Sequence, residues 1–315
     1  MAEHRIDPER RTLHGHFSSD LPPVLTIAPG DRVRVRTLDA GWGLYDNADP
    51  FGPPTKFTPR DRRLDAGHAL CGPIAVHGAR PGMVLVIRIE DVRPGRWGWT
   101  SAGGFASPLN ESLGVAEGPE HVVRWAIDPD AGRARDAGGR SIALRPFMGI
   151  LGMPPAEPGV HSTIPPRPCG GNLDCRELIA GSTVYLPIAV EGALFSTGDG
   201  HGVQGDGEVA GPALECPMEH AILQLDLEER TLALPRAVTP AGWVAMGFHQ
   251  DLDRATVAAL DNLLNWMDEA FGMSRKEALA IASLVASLRI TQMVNGVRGV
   301  HALLPHEALP TAPNR

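Results

Sequence analysis

Aromatic residues make up only 5% of this 315-residue chain, with 2 Tyr among them. The core must therefore be built mainly from Val, Ile, Leu and Ala. Lysine is scarcer still: Lys56 and Lys276 are the only two, and the other basic side chains are arginines. No Lys/Arg cluster occurs and the formal net charge is -8, which argues against nucleic acid or an anionic membrane as partners. No stretch approaches the ~18 consecutive apolar residues of a membrane helix. The opening MAEHRIDPERRTLHGHF lacks the apolar centre of a secretory signal. Four cysteines, Cys71, Cys169, Cys175 and Cys216, are too few for a disulfide framework in so long a chain. These absences lead to the expectation of a soluble cytoplasmic protein.

Turn formers, by contrast, are plentiful: 36 Gly and 29 Pro, scattered without period. That is too many for a helical bundle and suits a turn-rich β protein. The 43% apolar fraction excludes disorder, and the length fits one large domain or two compact ones. Residues 24–39 read as an apolar run, a Pro29-Gly30 turn and an alternating strand through Val33 and Val35. Residues 74–91 repeat the pattern around Pro81-Gly82. Residues 183–195 predict a buried strand pair around Pro187 and Gly192, and residues 221–227 alternate again. Residues 92–140 are polar and predict surface loops with short strands. No alternation of strands with long helices is present, so a doubly wound parallel sheet is not expected.

The last eighty residues differ. Leu252, Leu260, Leu263, Leu264, Met267 and Phe271 fall at helical spacing, with Gly272 as the stop. Ser274 and Glu277 form a capping box ahead of a second helix. The expected organisation is a β-rich body over 1–235 carrying a Gly-rich segment at 161–216, followed by a helical, α+β region over 236–315 in which the helical pair leads to a short Pro-containing tail.

That Gly-rich segment holds His161, Asp174, Asp199, His201, Asp206, Glu208 and Glu215. Glycines let a backbone turn tightly and a ligand approach closely. In an extended stretch Asp199 and His201 point to one face, as two ligands of one cation would. Read blandly, the same residues make solvated Asx turns. Cys169 and Cys175 invite a nucleophile reading, but buried inert thiols are the commoner outcome. Ser196 with His201 and Asp199 lies within one short segment, whereas triad members converge from separate ones. His14 and His16 share a face if extended and are expected at the surface.

The motifs GGNLD, GSTVYLPI, GALFSTGDGHGVQGDGEV and SLVASLRITQMVN, with PVLTIAPGDRVRVRTLDA and LRPFMGILGMPP before them, resemble the acetamidase/formamidase family along most of the chain. The resemblance implies a mainly β fold with jelly-roll-like and barrel-like parts and a smaller C-terminal helix-containing region. It further implies a bound divalent metal and a homodimer or higher homo-oligomer. Carried over residue by residue, it points to Asp174, Asp199, His201, Glu208 and Glu215. We divide these into metal ligands Asp174, Asp199 and His201 and a proton shuttle Glu208. Glu215 and Asp206 stand as further catalytic candidates, and Asn172, Gln204 and His77 as substrate-binding ones. His77 and Met83 stand where an acidic residue is expected. Mixed His and carboxylate ligands suit Zn²⁺ and accommodate Ca²⁺ or Mn²⁺. The expected activity is hydrolysis of small linear amides to acid and ammonia. The alternatives are a lactam or larger amide on the same fold, and a non-enzymatic metal- or sugar-binding β-sandwich.

Overall fold

Alternation of buried and outward side chains builds most of the molecule, seen in a computed structural model that describes residues 1–309. Along Arg32–Val35 the pattern is strict, with Val33 and Val35 fully buried and the arginines outward. That strand lies in a nine-stranded sheet whose longest ladder pairs Val84–Pro94 with Met218–Glu228, antiparallel. A seven-stranded sheet contains Phe147–Gly152, Phe195–His201 and Leu70–Val76 side by side. One hydrophobic cluster joins the two, with Leu85, Ile87, Val184 and Leu223 from the first sheet and Ile74, Met148, Leu151 and Phe195 from the second. Among the described residues nearly all strand pairs are antiparallel; Glu3–Ile6 with Arg32–Val35 and Leu25–Ile27 with Leu70–Val76 are parallel, as is the isolated bridge of Gly207 to Gln292. The mainly β expectation therefore holds.

Three readings need correction. Residues 92–140 are not mostly loops: Trp97–Ala102, His121–Asp128 and Arg133–Asp136, with Ser141–Ala143, form a four-stranded antiparallel sheet. Its polar composition hid it, because Val122 lies exposed while Trp97, Trp125 and Ile127 are buried. The strands read around Pro187 and Gly192 do not pair with each other. Thr183–Pro187 joins the nine-stranded sheet and Phe195–His201 the seven-stranded one. Among the described residues the helical pair does not lead straight into the expected Pro-containing tail, whose end at 310–315 lies outside them. Ser287–Gln292 and Arg298–Leu304 add two strands to the nine-stranded sheet, which thus runs across the 235/236 boundary.

The helices themselves lie where spacing places them. Leu252–Phe271 starts at Asp251, whose carboxylate accepts from the Arg254 amide at 2.9 Å, and stops at Gly272 in the left-handed region. Arg275–Val285 is capped by Ser274. The first helix is pinned by buried Asn262, which donates to the Pro235 and Met246 carbonyls and accepts from Arg236. Neither is long and apolar enough to cross a membrane, nor is any other helix of the described residues.

Candidate metal centre

The site grows from the middle of the seven-stranded sheet. Phe195–His201 ends in Asp199 and His201, and both side chains are buried. Asp174 follows the strand Gly170–Asn172; Glu208 and Glu215 come from the loop beyond His201. Two overlapping groups result: Asp174, Asp199 and His201, and His201, Glu208 and Glu215, each with ligand atoms within 4.8 Å of one another. Three of the acids sit in left-handed backbone, with φ of 45° at Asp174, 59° at Asp199 and 46° at Glu208. Non-glycine residues adopt that region at a cost, and such strain gathers at functional sites.

Gly149 explains how the acids approach so closely. It lies on Phe147–Gly152, between the strands that carry Asn172 and Asp199. A Cβ there would stand 2.6 Å from Asp199 Oδ2 and 2.9 Å from both Asp174 Oδ1 and His201 Cε1. Its carbonyl also accepts from the Leu173 and Asp174 amides.

The His201 ring is held in one tautomer. Gln204 Nε2 donates to the Asp174 carbonyl at 2.7 Å and the Thr291 carbonyl at 3.3 Å. Its Oε1, 3.0 Å from His201 Nδ1, must therefore accept, so Nδ1 carries the proton. Nε2 then faces Glu215 Oε1 at 3.2 Å, Asp199 Oδ1 at 3.4 Å and Glu208 Oε1 at 4.0 Å. The Phe147 ring meets the imidazole edge-on, with centroids 5.0 Å apart.

Four buried carboxylates and one buried imidazole perturb one another strongly. Burial, then the charge of Asp199, pushes the Asp174 carboxyl up to about 8. Burial and Asp174 together raise Glu208 well above the carboxylate range, and burial raises Glu215. Burial opposes ionisation of Asp199 too, yet the His201 and His68 charges outweigh it and hold that carboxyl below its ordinary value. Burial would lower His201, but Glu215 and Asp199 override it and raise the imidazole. Such a cluster holds protons unless a cation replaces them. Its donor atoms fit one. Among the described residues, five of nine buried side-chain atoms without a hydrogen-bond partner lie here: Asp174 Oδ1, His201 Nε2, Glu208 Oε2, Glu215 Oε2 and Asn172 Oδ1. Buried polar atoms are almost always paired, so this concentration marks a place for a ligand.

A cavity of about 410 Å³ opens onto Asp199, Glu208 and Glu215, with Asn172, His68, Trp99 and Asn295 in its walls. Asn172 Nδ2 donates to the Ile164 carbonyl, leaving Oδ1 beside the cavity. Of the other expected site residues, Gln204 lies behind the cluster and Asp206 and His77 lie outside it. Gln204 spends its amide on His201 and two carbonyls, so it orients the imidazole and has no polar atom left for a substrate. Asp206 is exposed and ion-paired with Arg289 at 2.7 Å. His77 is exposed, because the register pairs Leu70 with Gly198 and Ile74 with Phe195, so the chain reaches His77 at the end away from Asp199. That register instead delivers His68 to the site. His161 lies outside as well, its ring bonded to the Glu157 carbonyl.

His68, Asn295 and Gly149 were not foreseen. Asn295 donates to Asp174 Oδ2 at 2.8 Å and belongs to the QMVN stretch; His68 carried no local signal. His14 and His16 are buried, contrary to expectation. His14 Nδ1 donates to the His16 carbonyl, so its Nε2 accepts from Ser196 Oγ at 3.0 Å, which takes Ser196 away from His201. Cys169 and Cys175 are buried free thiols raised by burial to about 11 and about 12, the state of inert cysteines.

The sequence profile of the Acetamidase/Formamidase family matches residues 2–161 and 156–233. A formamidase of Methylophilus methylotrophus is 30% identical over 247 residues, covering 62% of this chain and 59% of the relative. An acetamidase of Mycolicibacterium smegmatis is 28% identical over 260 residues, with shares of 62% and 61%. The chain thus spans about six-tenths of the length of these curated relatives. The crystal structure of an acetamidase from Yersinia enterocolitica superposes with a TM-score of 0.83 at 27% identity, covering 98% of this chain and 93% of that one.

Proposed function

Because the chain belongs to the acetamidase/formamidase family, we propose that it hydrolyses small linear amides, R–CO–NH₂ plus water giving the acid and ammonia, at the Asp174–Glu215 cluster. The observation that carries this reading is the convergence of orphaned donor atoms from Asp174, His201, Glu208 and Glu215 beside one cavity. Relatives named formamidase and acetamidase supply the substrate class.

Asp174, Asp199 and His201 would hold a divalent cation, with Zn²⁺ suited to the imidazole-carboxylate donor set and Ca²⁺ or Mn²⁺ accommodated. Such an ion supplies charge that polarises a carbonyl and acidifies water. The protein's own groups do the rest. Gln204 holds the Nδ1 proton of His201 and turns Nε2 inward, where it would be free to bind the cation. Asn295 steadies Asp174. With the cation in place, Glu208, whose Oε2 is unpartnered and which lines the cavity, would take a proton from water and hand it to the departing nitrogen. Glu215 has Oε1 anchored by the Ala213 amide and Oε2 left over, which makes it the alternate in that role. Asn172 Oδ1 accepts an N–H of the substrate amide. Assembly as a homodimer or larger homo-oligomer and a cytoplasmic location belong to the same proposal.

Ammonia release from an amide panel, run with and without chelator beside elemental analysis, tests it. We expect turnover, about one divalent ion per chain, and loss of both on chelation. Full turnover by metal-free protein overturns the cation's role; no ammonia from any amide overturns the reaction.

A further inference from the structure

Acetamide fills little space, on the order of 100 Å³ or less at ~30 Å³ per water-sized volume. The cavity above the acids is several times larger, and a second cavity of about 670 Å³ adjoins it. The two share His68, Phe105, Ile164, Gly211 and Asn295 as walls, so the outer chamber opens directly toward the acid cluster. Its lining is of another chemistry. Phe105, Leu109, Ile164, Val209, Met293 and Val294 surround it, and no carboxylate does. Phe105, Ile164 and Val209 are 53%, 48% and 60% exposed. Arg298 is also in the lining, but its guanidinium donates to the Gln250 carbonyl.

These apolar groups do not hang on a slack loop. Ser107 caps the helix Pro108–Ser112, buried Asn110 donates to the Phe105 carbonyl at 3.0 Å, and the Gly104 amide bonds the Val115 carbonyl at 3.0 Å. On the opposite wall Gln292 Oε1 accepts from the Val294 and Asn295 amides, and Gln292 Nε2 donates to the Val297 carbonyl. Separate segments thus hold apolar side chains around one space, at a standing cost in exposed apolar surface. An apolar occupant removes that cost, and an amide at the acids projects its R group into the chamber.

We propose that the outer chamber is an acyl subsite and that the physiological substrate is a primary amide of an arylalkyl or branched-alkyl acid. This inference rests on the amide-hydrolase reading of the inner site. Ammonia, the small product, leaves from the acid end, while the apolar R group stays against Phe105 and Leu109. Adding or removing one methylene in an apolar pocket changes specificity by ~10–200-fold, so the effect is large enough to read.

The test compares acetamide with 3-phenylpropionamide. We expect kcat/KM at least about tenfold higher for the phenyl amide. Leu109→Asp should lower that ratio at least about tenfold, and Leu109→Met, which keeps an apolar side chain, should restore most of it. Calorimetric binding of 3-phenylpropionamide and the mass in solution are measured on the same proteins. A preference for acetamide, or an unchanged ratio in Leu109→Asp, overturns the subsite. So does a Leu109→Asp protein that dissociates with its ratio intact, since the chamber wall is then a contact between copies. If no amide is hydrolysed, the inner-site reading fails separately. Binding of the phenyl amide that Leu109→Asp abolishes then still supports the subsite, and absence of binding overturns it.

Discussion

Replacing Gly149 by alanine adds one methyl group at the back of the acid cluster and changes no charge. The new Cβ would lie 2.6 Å from Asp199 Oδ2 and 2.9 Å from Asp174 Oδ1 and His201 Cε1, where ordinary contact begins at 3.4 Å. Each of these atoms must therefore retreat by roughly 0.5 to 0.8 Å. They have little freedom to do so: Asp199 and Asp174 are fixed by left-handed backbone, and His201 by Gln204 and Phe147. A misplacement near 1 Å costs about a hundredfold in rate. Gly149→Ala should accordingly lose about thirtyfold to a hundredfold in turnover and bind its cation more weakly. Overpacking of this kind costs about 1–3 kcal/mol, so the fold should survive. Ammonia release, elemental analysis and a circular dichroism melt give the three readings. Gly205→Ala is the control, because open space surrounds that position. A Gly149→Ala protein with wild-type turnover and full metal content would refute the account of how the acids are packed.

Glu208→Gln should keep its fold and metal content while turnover falls at least about a hundredfold, the usual cost of a lost general base. A metal-free Glu208→Gln protein makes Glu208 a ligand instead. His201→Ala should lose both metal and activity, checked by the same two assays. Gln204→Leu should weaken metal affinity about 10–100-fold in a chelator competition, since it removes the acceptor that sets the His201 tautomer. Cys169→Ala and Cys175→Ala should each stay within about tenfold of wild-type turnover, and complete loss in a folded, metal-loaded variant would indicate thiolate chemistry. Burial lowers His14 to about 4, so its contribution to stability is present above pH 6.5 and lost as pH falls toward 4. The unfolding free energy from urea melts should fall by on the order of 2 kcal/mol between pH 7 and 4.5 from this residue, and His14→Gln should flatten that part of the curve.

What the sequence disclosed about the site was local. Asp199 and His201 are two apart on one strand, and Glu208 and Glu215 follow on one loop, so a single stretch of chain displayed four of the five groups. Gly149, His68 and Asn295 enter through strand register and a distant hairpin, which composition does not encode. His77 and His68 are alike as letters; only the pairing of Leu70 with Gly198 decides between them. Asp206 and Glu208 likewise differ by where one turn points them, one to Arg289 and the other inward. In the fold, helix spacing and caps were legible because they are short-range. The four-stranded sheet was not, since its pattern is blurred by a solvated face. The last two strands were missed for a related reason: Leu288 and Ile290 lie exposed at the sheet edge, where alternation is weak.

The bond from Asn295 to Asp174 spans 121 positions of chain. At a synthesis rate of about 5–20 residues per second, Asp174 leaves the ribosome on the order of ten seconds before its partner exists. Gln204 waits almost as long for the Thr291 carbonyl. The hairpin from Ser287 to Leu304 supplies both the Asn295 amide and the Thr291 carbonyl, so the site is complete only once it is in place. A cation captured by the nascent chain would be enclosed at that moment, whereas one offered to the finished protein must enter by way of the cavity.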